Sequence, residues 1–205
     1  TLSYTTLFRS SARSRCMAAK FQFAPGNPVN ELIREASSEQ DYSAFSQLIG
    51  EYVSWLRSRY EQDNWFITEV LDKQSLSSEL ENLSTMYGSP NGRAFVAMYD
   101  SEVRGCGAYR RLADGTCEMK RVFVPRRFQG TGLGRRICSV LIASAREDGF
   151  RLMRLDTGHL MQEAVTLYQS FGFRECSPYY VYPEKLMPYF VFMELPLAGA
   201  ERETC

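Results

Sequence analysis

Residues 129–134 read Gln129-Gly130-Thr131-Gly132-Leu133-Gly134, and they separate a β-branched run from a helical repeat. The run is Thr116 to Val124, stopped by Pro125. The repeat is Leu133, Ile137, Val140, Leu141 and Ala145, one face of a helix expected to end near Gly149. A strand, a glycine-dense turn and a helix start point successive backbone N–H groups outward. The helix dipole then favours an anion at that place. Glycine matters there because a Cβ would hold a phosphate away from the backbone.

Working outward, Ala94 to Tyr99 and Val103 to Tyr109 flank Asp100-Ser101 and read as a hairpin. Ala113-Asp114-Gly115 is a second tight turn, leading into the Thr116 strand. Further upstream, Glu31 to Ala36 reads as a first strand. Ser38 and Asp41 then form a capping-box signature. Phe45, Leu48, Ile49, Tyr52, Val53 and Leu56 make one face of a helix, broken at Asp63 to Phe66. A second helix is expected from about Ser75 to Met86, ended by Gly88 and Pro90.

Downstream, Arg151 to Asp156 is a strand reached by a crossover. Met161 to Phe171 is helical with Gly172 as its stop. Phe173 to Glu175 and Tyr189 to Leu195 are a closing pair of strands around a Pro- and Tyr-rich loop. The order β-α-α-β-β-β-α-β-α-β-β predicts an α+β, three-layer domain with a mixed, mostly antiparallel central sheet flanked by helices.

The 205 residues, 44% hydrophobic and 23% charged, suit one domain with a real core. Net charge is zero, so nucleic acid is not expected as a partner. No apolar stretch is long enough to span a bilayer, so no membrane association is expected. The six cysteines, with no C-x-x-C among them, and the single His159 do not match zinc spacing, and no metal is expected. Scattered cysteines suit a reducing, cytoplasmic setting. Residues 1–28 are expected to be a disordered or non-native extension, with Met17 as the natural start. Their four basic residues and lack of Asp or Glu also fit a transit peptide. The domain is expected over 29–197, followed by a flexible tail over 198–205.

The chain resembles the GNAT superfamily of acyltransferases that use acetyl-CoA. Three elements carry the resemblance. The family's Q/R-x-x-G-x-G/A turn is Gln129 to Gly134, its preceding strand end is Val122-Phe123-Val124, and its L-Y-x-x-x-G-F helix end is Leu167 to Phe173. Competing glycine motifs fit less well. A P-loop needs Lys then Ser or Thr after Gly134, where Arg135 and Arg136 stand, and a Rossmann fingerprint needs a small residue at Ile137.

The resemblance implies acetyl-CoA as co-substrate and direct transfer of the acetyl group, in a ternary complex, to a primary amine of a small molecule or peptide. A non-catalytic acyl-CoA-binding regulatory domain is the alternative. Monomer and homodimer are both compatible. The pyrophosphate would sit on Gln129, Gly130, Thr131, Gly132, Leu133, Gly134 and Arg135. The pantetheine arm would pair with the backbone of Val122, Phe123 and Val124. Tyr168 matches the tyrosine that protonates the leaving thiolate, and Glu118 matches the strand glutamate that acts as base. His159 is a rival base. By period-two alternation Glu118 shares a face with Lys120, Val122 and Val124 if no bulge intervenes. The alternative to the base role is that Lys120 pairs with Glu118 as a surface ion pair worth little. Where many members carry an asparagine that contacts the cofactor, this chain has Met161. Tyr52, Trp55, Tyr60, Trp65, Tyr179, Tyr180 and Tyr182, with Glu51, Glu61, Asp63, Arg57 and Arg59, are the acceptor-site candidates.

Overall fold

A computed structural model of the chain describes residues 31–197; the extension expected at 1–28 and the tail expected at 198–205 lie outside the described residues. One seven-stranded sheet organises the fold. Its strands are β1 (Glu31–Glu35), β2 (Gly92–Tyr99), β3 (Glu102–Ala113), β4 (Thr116–Phe123), β5 (Leu152–Gly158), β6 (Arg174–Glu175) and β7 (Phe190–Pro196). The spatial order is β1-β2-β3-β4-β5-β7-β6, and only β4 and β5 run parallel. That one parallel pair is where the helical crossover was expected, because a parallel neighbour cannot be reached by a hairpin.

The turns are as read. Asp100 and Ser101 both have positive φ in the β2–β3 hairpin, as a tight primed turn requires. Asp114-Gly115 joins β3 to β4 between the paired residues Ala113 and Thr116. Helix α1 (Glu39–Arg59) starts with the expected capping box. The Ser38 Oγ accepts from the Asp41 amide at 3.2 Å and the Asp41 carboxylate accepts from the Ser38 amide at 3.1 Å.

The helices before β2 differ from expectation. Residues read as a break belong to a helix, α2 (Asn64–Lys73), whose Phe66, Ile67, Val70 and Leu71 are all buried. The single helix expected over 75–86 is instead two short ones, α3 (Leu76–Glu81) and α4 (Leu83–Met86). Asn82 interrupts it with φ −124°, outside the helical region. The chain therefore has four helices, not two, between β1 and β2. After β4 come α5 (Leu133–Glu147) and α6 (Gln162–Gln169).

Two faces of the sheet are covered, giving three layers. On one face α5 and α6 bury Leu133, Ile137, Leu141, Val165 and Tyr168 against Tyr109, Met119 and Met153. Helix α5 lies close because β3 presents glycine beneath it. A Cβ on Gly107 would come within 2.8 Å of Ile137 and 2.9 Å of Leu141. On the other face α1 and α4 bury Phe45, Leu48, Ile49 and Leu83 against Ala94, Val96, Cys106, Ala108 and Phe123. Each large side chain so buried contributes about 1.5–3 kcal/mol.

The decisive irregularity is in β4. Cys106 opposes Phe123 and Ala108 opposes Lys120, so two steps on β3 face three on β4. The extra residue is a bulge, and Arg121 has φ +56° there. Alternation restarts in the opposite phase. Met119 packs on the α5 face, and so do Val122 and Val124 beyond the bulge. Glu118 and Lys120 stay on the α1 face, so the shared face expected for Glu118, Val122 and Val124 does not form. In the same region β4 and β5 part company. Their pairing ends at Glu118 and Arg154, leaving a fork between the strands.

Candidate active site

A cleft of about 730 Å³ opens at this fork. Val122, Phe123 and Val124 line it from β4. Gln129, Gly130, Gly132, Leu133, Gly134 and Arg135 line it from the turn, and Tyr168 from α6. These are the residues the resemblance assigned to the cofactor and to the leaving group, except Thr131. Thr131 instead donates its hydroxyl to the Phe128 carbonyl at 2.8 Å and so braces the turn. Tyr52 and Trp55 of α1 and Met161 before α6 complete the apolar walls.

The turn is built as an anion cradle. Gly130 and Gly132 both have φ +78°, a conformation costly for other residues. Gly132 is the N-cap of α5 and has no side chain to cap it. The amides of Leu133, Gly134 and Arg135 therefore lack the intrahelical partners that later residues have. Gln129 donates to the Val124 carbonyl at 2.9 Å, locking the turn to the end of β4. Arg135 bonds Ser170 at 2.7 Å along the rim, and Arg126 is a second cation lining the cleft. Uncapped amides, a helix dipole and two guanidinium groups fit a pyrophosphate.

Tyr168 is 8% exposed, with its ring against Phe173. No described residue hydrogen-bonds its hydroxyl. Burial first, and then neighbouring negative charge including that of Asp156, holds its phenol well above the ordinary value. A phenol so placed stays protonated and is available as an acid.

Adjoining the cleft, between β4 and β5, lies a smaller cavity of about 90 Å³. It shares Tyr52, Val122, Thr157 and Tyr168 with the cleft. Its charged lining residues are Lys120, Arg121 and Asp156. Arg121, projecting from the bulge, makes a buried two-pronged bond to Glu79 of α3, both prongs 2.7 Å. Tyr87 donates to the same carboxylate at 2.8 Å. Burial opposes both charges, but the pairing keeps the Glu79 carboxyl below its ordinary range and the Arg121 guanidinium above it. Lys120 bonds Asp156 at 3.3 Å.

Glu118 is not at the cleft or the cavity. It is fully buried. Its Oε2 accepts from Arg110 at 3.0 Å and from Tyr180 at 2.8 Å, and its Oε1 accepts from Tyr179 at 3.3 Å and faces Lys120 at 3.5 Å. The expected surface ion pair is thus a buried one, with the Lys120 side chain 8% exposed. His159 also lies outside both spaces; it sits edge-on to Tyr60 and Tyr189, and its Nδ1 has no partner among the described residues.

The acceptor candidates divide. Tyr52 and Trp55 line the cleft and Tyr60 lines the cavity. Tyr179 and Tyr180 hold Glu118, and Tyr182 stacks on Phe190 at 4.5 Å. Arg59 of α1 bonds Glu163 of α6 at 2.9 Å, a bridge between two walls of the cleft. Trp65 is half-exposed beside Tyr189, and Glu51 is paired with Arg127 at 2.9 Å.

Sequence reasoning passed over Asp156, Arg121 and Glu163. Two signals pointed to the first two. Lys120-Arg121 sets adjacent charges inside an apolar strand, which breaks alternation and marks a bulge. Asp156 is an acidic residue near the end of a strand, just before Thr157-Gly158.

A mixed sheet forked beside an uncapped helix N-terminus is the arrangement that the resemblance to the GNAT superfamily implies, and the comparisons agree. The profile of the acetyltransferase (GNAT) family matches residues 47–173, and the chain belongs to that family. An uncharacterised N-acetyltransferase of Schizosaccharomyces pombe is 32% identical over 173 residues, covering 83% of this chain and 98% of the relative. The structure of a Klebsiella pneumoniae protein described as an acyl-CoA N-acyltransferase superposes with a TM-score of 0.61 at 25% identity, over 82% of this chain and 98% of that one. A Salmonella typhimurium protein solved with its cofactor acetyl-CoA superposes with a TM-score of 0.57 at 22% identity, over 86% of this chain and 99% of that one.

Proposed function

We propose that this chain is an acetyl-CoA-dependent N-acetyltransferase that acts on a primary amine of a small molecule or peptide by direct attack in a ternary complex. One observation carries the reading: the uncapped N-terminus of α5 and the Tyr168 hydroxyl open into the same cleft. The presence of acetyl-CoA in the Salmonella protein of like fold supports the choice of co-substrate.

In this reading the amides of residues 129–135 bind the pyrophosphate, with Arg135 and Arg126 adding charge. Beyond the bulge, the backbone of Val122 to Val124 is free of β5 and takes the pantetheine arm as a sheet edge takes a strand. Bound there, the co-substrate supplies an acetyl thioester, an electrophilic carbonyl with a thiolate leaving group. A backbone amide of the forked strand stabilises the oxyanion, and Tyr168 protonates the sulfur. Glu118 anchors Arg110, Lys120 and the two tyrosines, and so shapes the floor from behind.

The test is a calorimetric titration with acetyl-CoA, followed by an amine panel with thiol release as the readout. Saturable binding and amine-dependent release are expected. A protein that binds no acetyl-CoA would overturn the reading.

A further inference from the structure

The smaller cavity is lined by a carboxylate other than Glu118. We infer that Asp156 is the carboxylate that receives the acceptor amine and takes its proton, an assignment that rests on the reading above. Asp156 is the only carboxylate among the residues lining the cavity. Its side chain is 7% exposed, and its one hydrogen-bond partner among the described residues is Lys120, at 3.3 Å. One carboxylate oxygen is thereby held and lone pairs remain for a donor. Tyr168 lines the same cavity, so the proton acceptor and the proton donor flank one space. Glu118, by contrast, meets Arg110, Tyr179, Tyr180 and Lys120 and borders neither space.

The charged and titratable groups around Asp156 come from four elements. Lys120 faces it from β4, and Arg121, on the same strand, is already neutralised by Glu79. Tyr52 of α1, Tyr168 of α6, and Tyr179 and Tyr182 of the loop before β7 are the remaining titratable groups that feel its charge. All four phenols are held above their ordinary values, chiefly by burial, and stay neutral. An amine entering this cavity therefore meets one carboxylate, with the Lys120 ammonium beside it.

The chemistry follows. A carboxylate is a weaker base than an alkylamine, with reference pKa values of about 4 and about 10, so the amine gives its first proton to solvent, attacks as the neutral form, and donates a hydrogen bond to Asp156 as it does so. The nitrogen becomes strongly acidic once its lone pair has bonded to the carbonyl carbon, and Asp156 then accepts that proton. The C–S bond breaks with its electron pair on sulfur, which takes a proton from Tyr168. Solvent removes the proton from Asp156 and restores the one on Tyr168. The cavity, at about 90 Å³, is smaller than the ~150 Å³ that admits benzene, so a slim amine head fits it better than a bulky one.

The experiment compares wild type, Asp156→Asn and Asp156→Glu on glycine, L-lysine, putrescine and phenylethylamine, with the acetyl-CoA Kd measured for each protein. Glu194→Gln, which removes a surface partner of Arg154, serves as the control. Asp156→Asn is expected to lower kcat/KM for the best amine by ~100-fold or more, with the acetyl-CoA Kd within about two-fold. An Asp156→Asn enzyme within about three-fold of wild type would overturn the assignment. If that variant fails to bind acetyl-CoA because Lys120 has lost its partner, Asp156→Glu decides. Amine turnover retained with the glutamate carboxylate supports the assignment, and loss of turnover by a variant that still binds acetyl-CoA defeats it. Failure of the broader reading would show in the wild type, as no amine turnover at all, and would take the assignment of Asp156 with it.

Discussion

The two ends of β4 are built on opposite principles. At the Glu118 end, the buried carboxylate has a partner on each oxygen: Arg110 and Tyr180 on one, Tyr179 and Lys120 on the other. At the Val124 end, α5 begins on a glycine that caps nothing, and Tyr168 keeps a hydroxyl that no described residue bonds. Buried polar groups are normally satisfied, because leaving one unmade costs about 1–3 kcal/mol. A site whose donors are open is therefore kept open for a ligand, whereas a saturated network is a structural floor. Charge alone does not distinguish the two ends; hydrogen-bond satisfaction does.

The largest expected effect is at the closed end. Glu118→Ala leaves Arg110 and Lys120 without their carboxylate, and should cost about 3–5 kcal/mol of unfolding free energy, read as a lower denaturant midpoint. A midpoint equal to that of wild type would erase the distinction between the ends.

At the open end, Tyr168→Phe removes only a hydroxyl without a partner. Stability should hold while kcat falls ~100-fold, about 2.7 kcal/mol of transition-state stabilisation. A stability loss with unchanged kcat would show that the hydroxyl belongs to the core after all.

Gly132→Ala puts a Cβ on a residue at φ +78°. The strain of about 1–2 kcal/mol should distort the cradle and weaken acetyl-CoA binding by ~10-fold in a titration. Unaltered affinity would mean that the phosphates do not rest there.

The smallest effect tests satisfaction elsewhere. Asp41 accepts from Arg34 and from the Ser37 and Ser38 amides, and these bonds hold its carboxyl well below the usual range against the opposing effect of burial. A depressed folded pKa contributes stability above the unfolded value, and that stability is lost as pH falls through the folded one. Asp41→Asn should therefore cost about 1 kcal/mol at pH 7, and the gap should shrink below about pH 4, where the unfolded state begins to bind the proton. A pH-independent gap in denaturation curves would assign the effect to shape rather than charge.

Much of the molecule was legible from spacing. The capping box at Ser38 and the Asp114-Gly115 turn depend on neighbours within four residues, and both stand as read. The split at Asn82 and the helix over 64–73 were not legible, because burial against α1 and the loop before β7 decides them. Phe66 packs on Tyr60 and Tyr189, partners distant in the chain or in another element. The placement of Asp156, and not Glu118, on the cavity wall has the same origin.

From the sequence alone came the glycine cradle, its strand and helix, the mixed sheet and the family. These are local or periodic properties, and they survive folding because backbone geometry enforces them. Only the tertiary structure decided which charges line the cleft and the cavity. The bulge at Arg121, held by Glu79 from forty-two positions away, reverses the phase of β4. A period-two pattern cannot show where it slips, because the slip is stabilised by a partner that the strand does not contain.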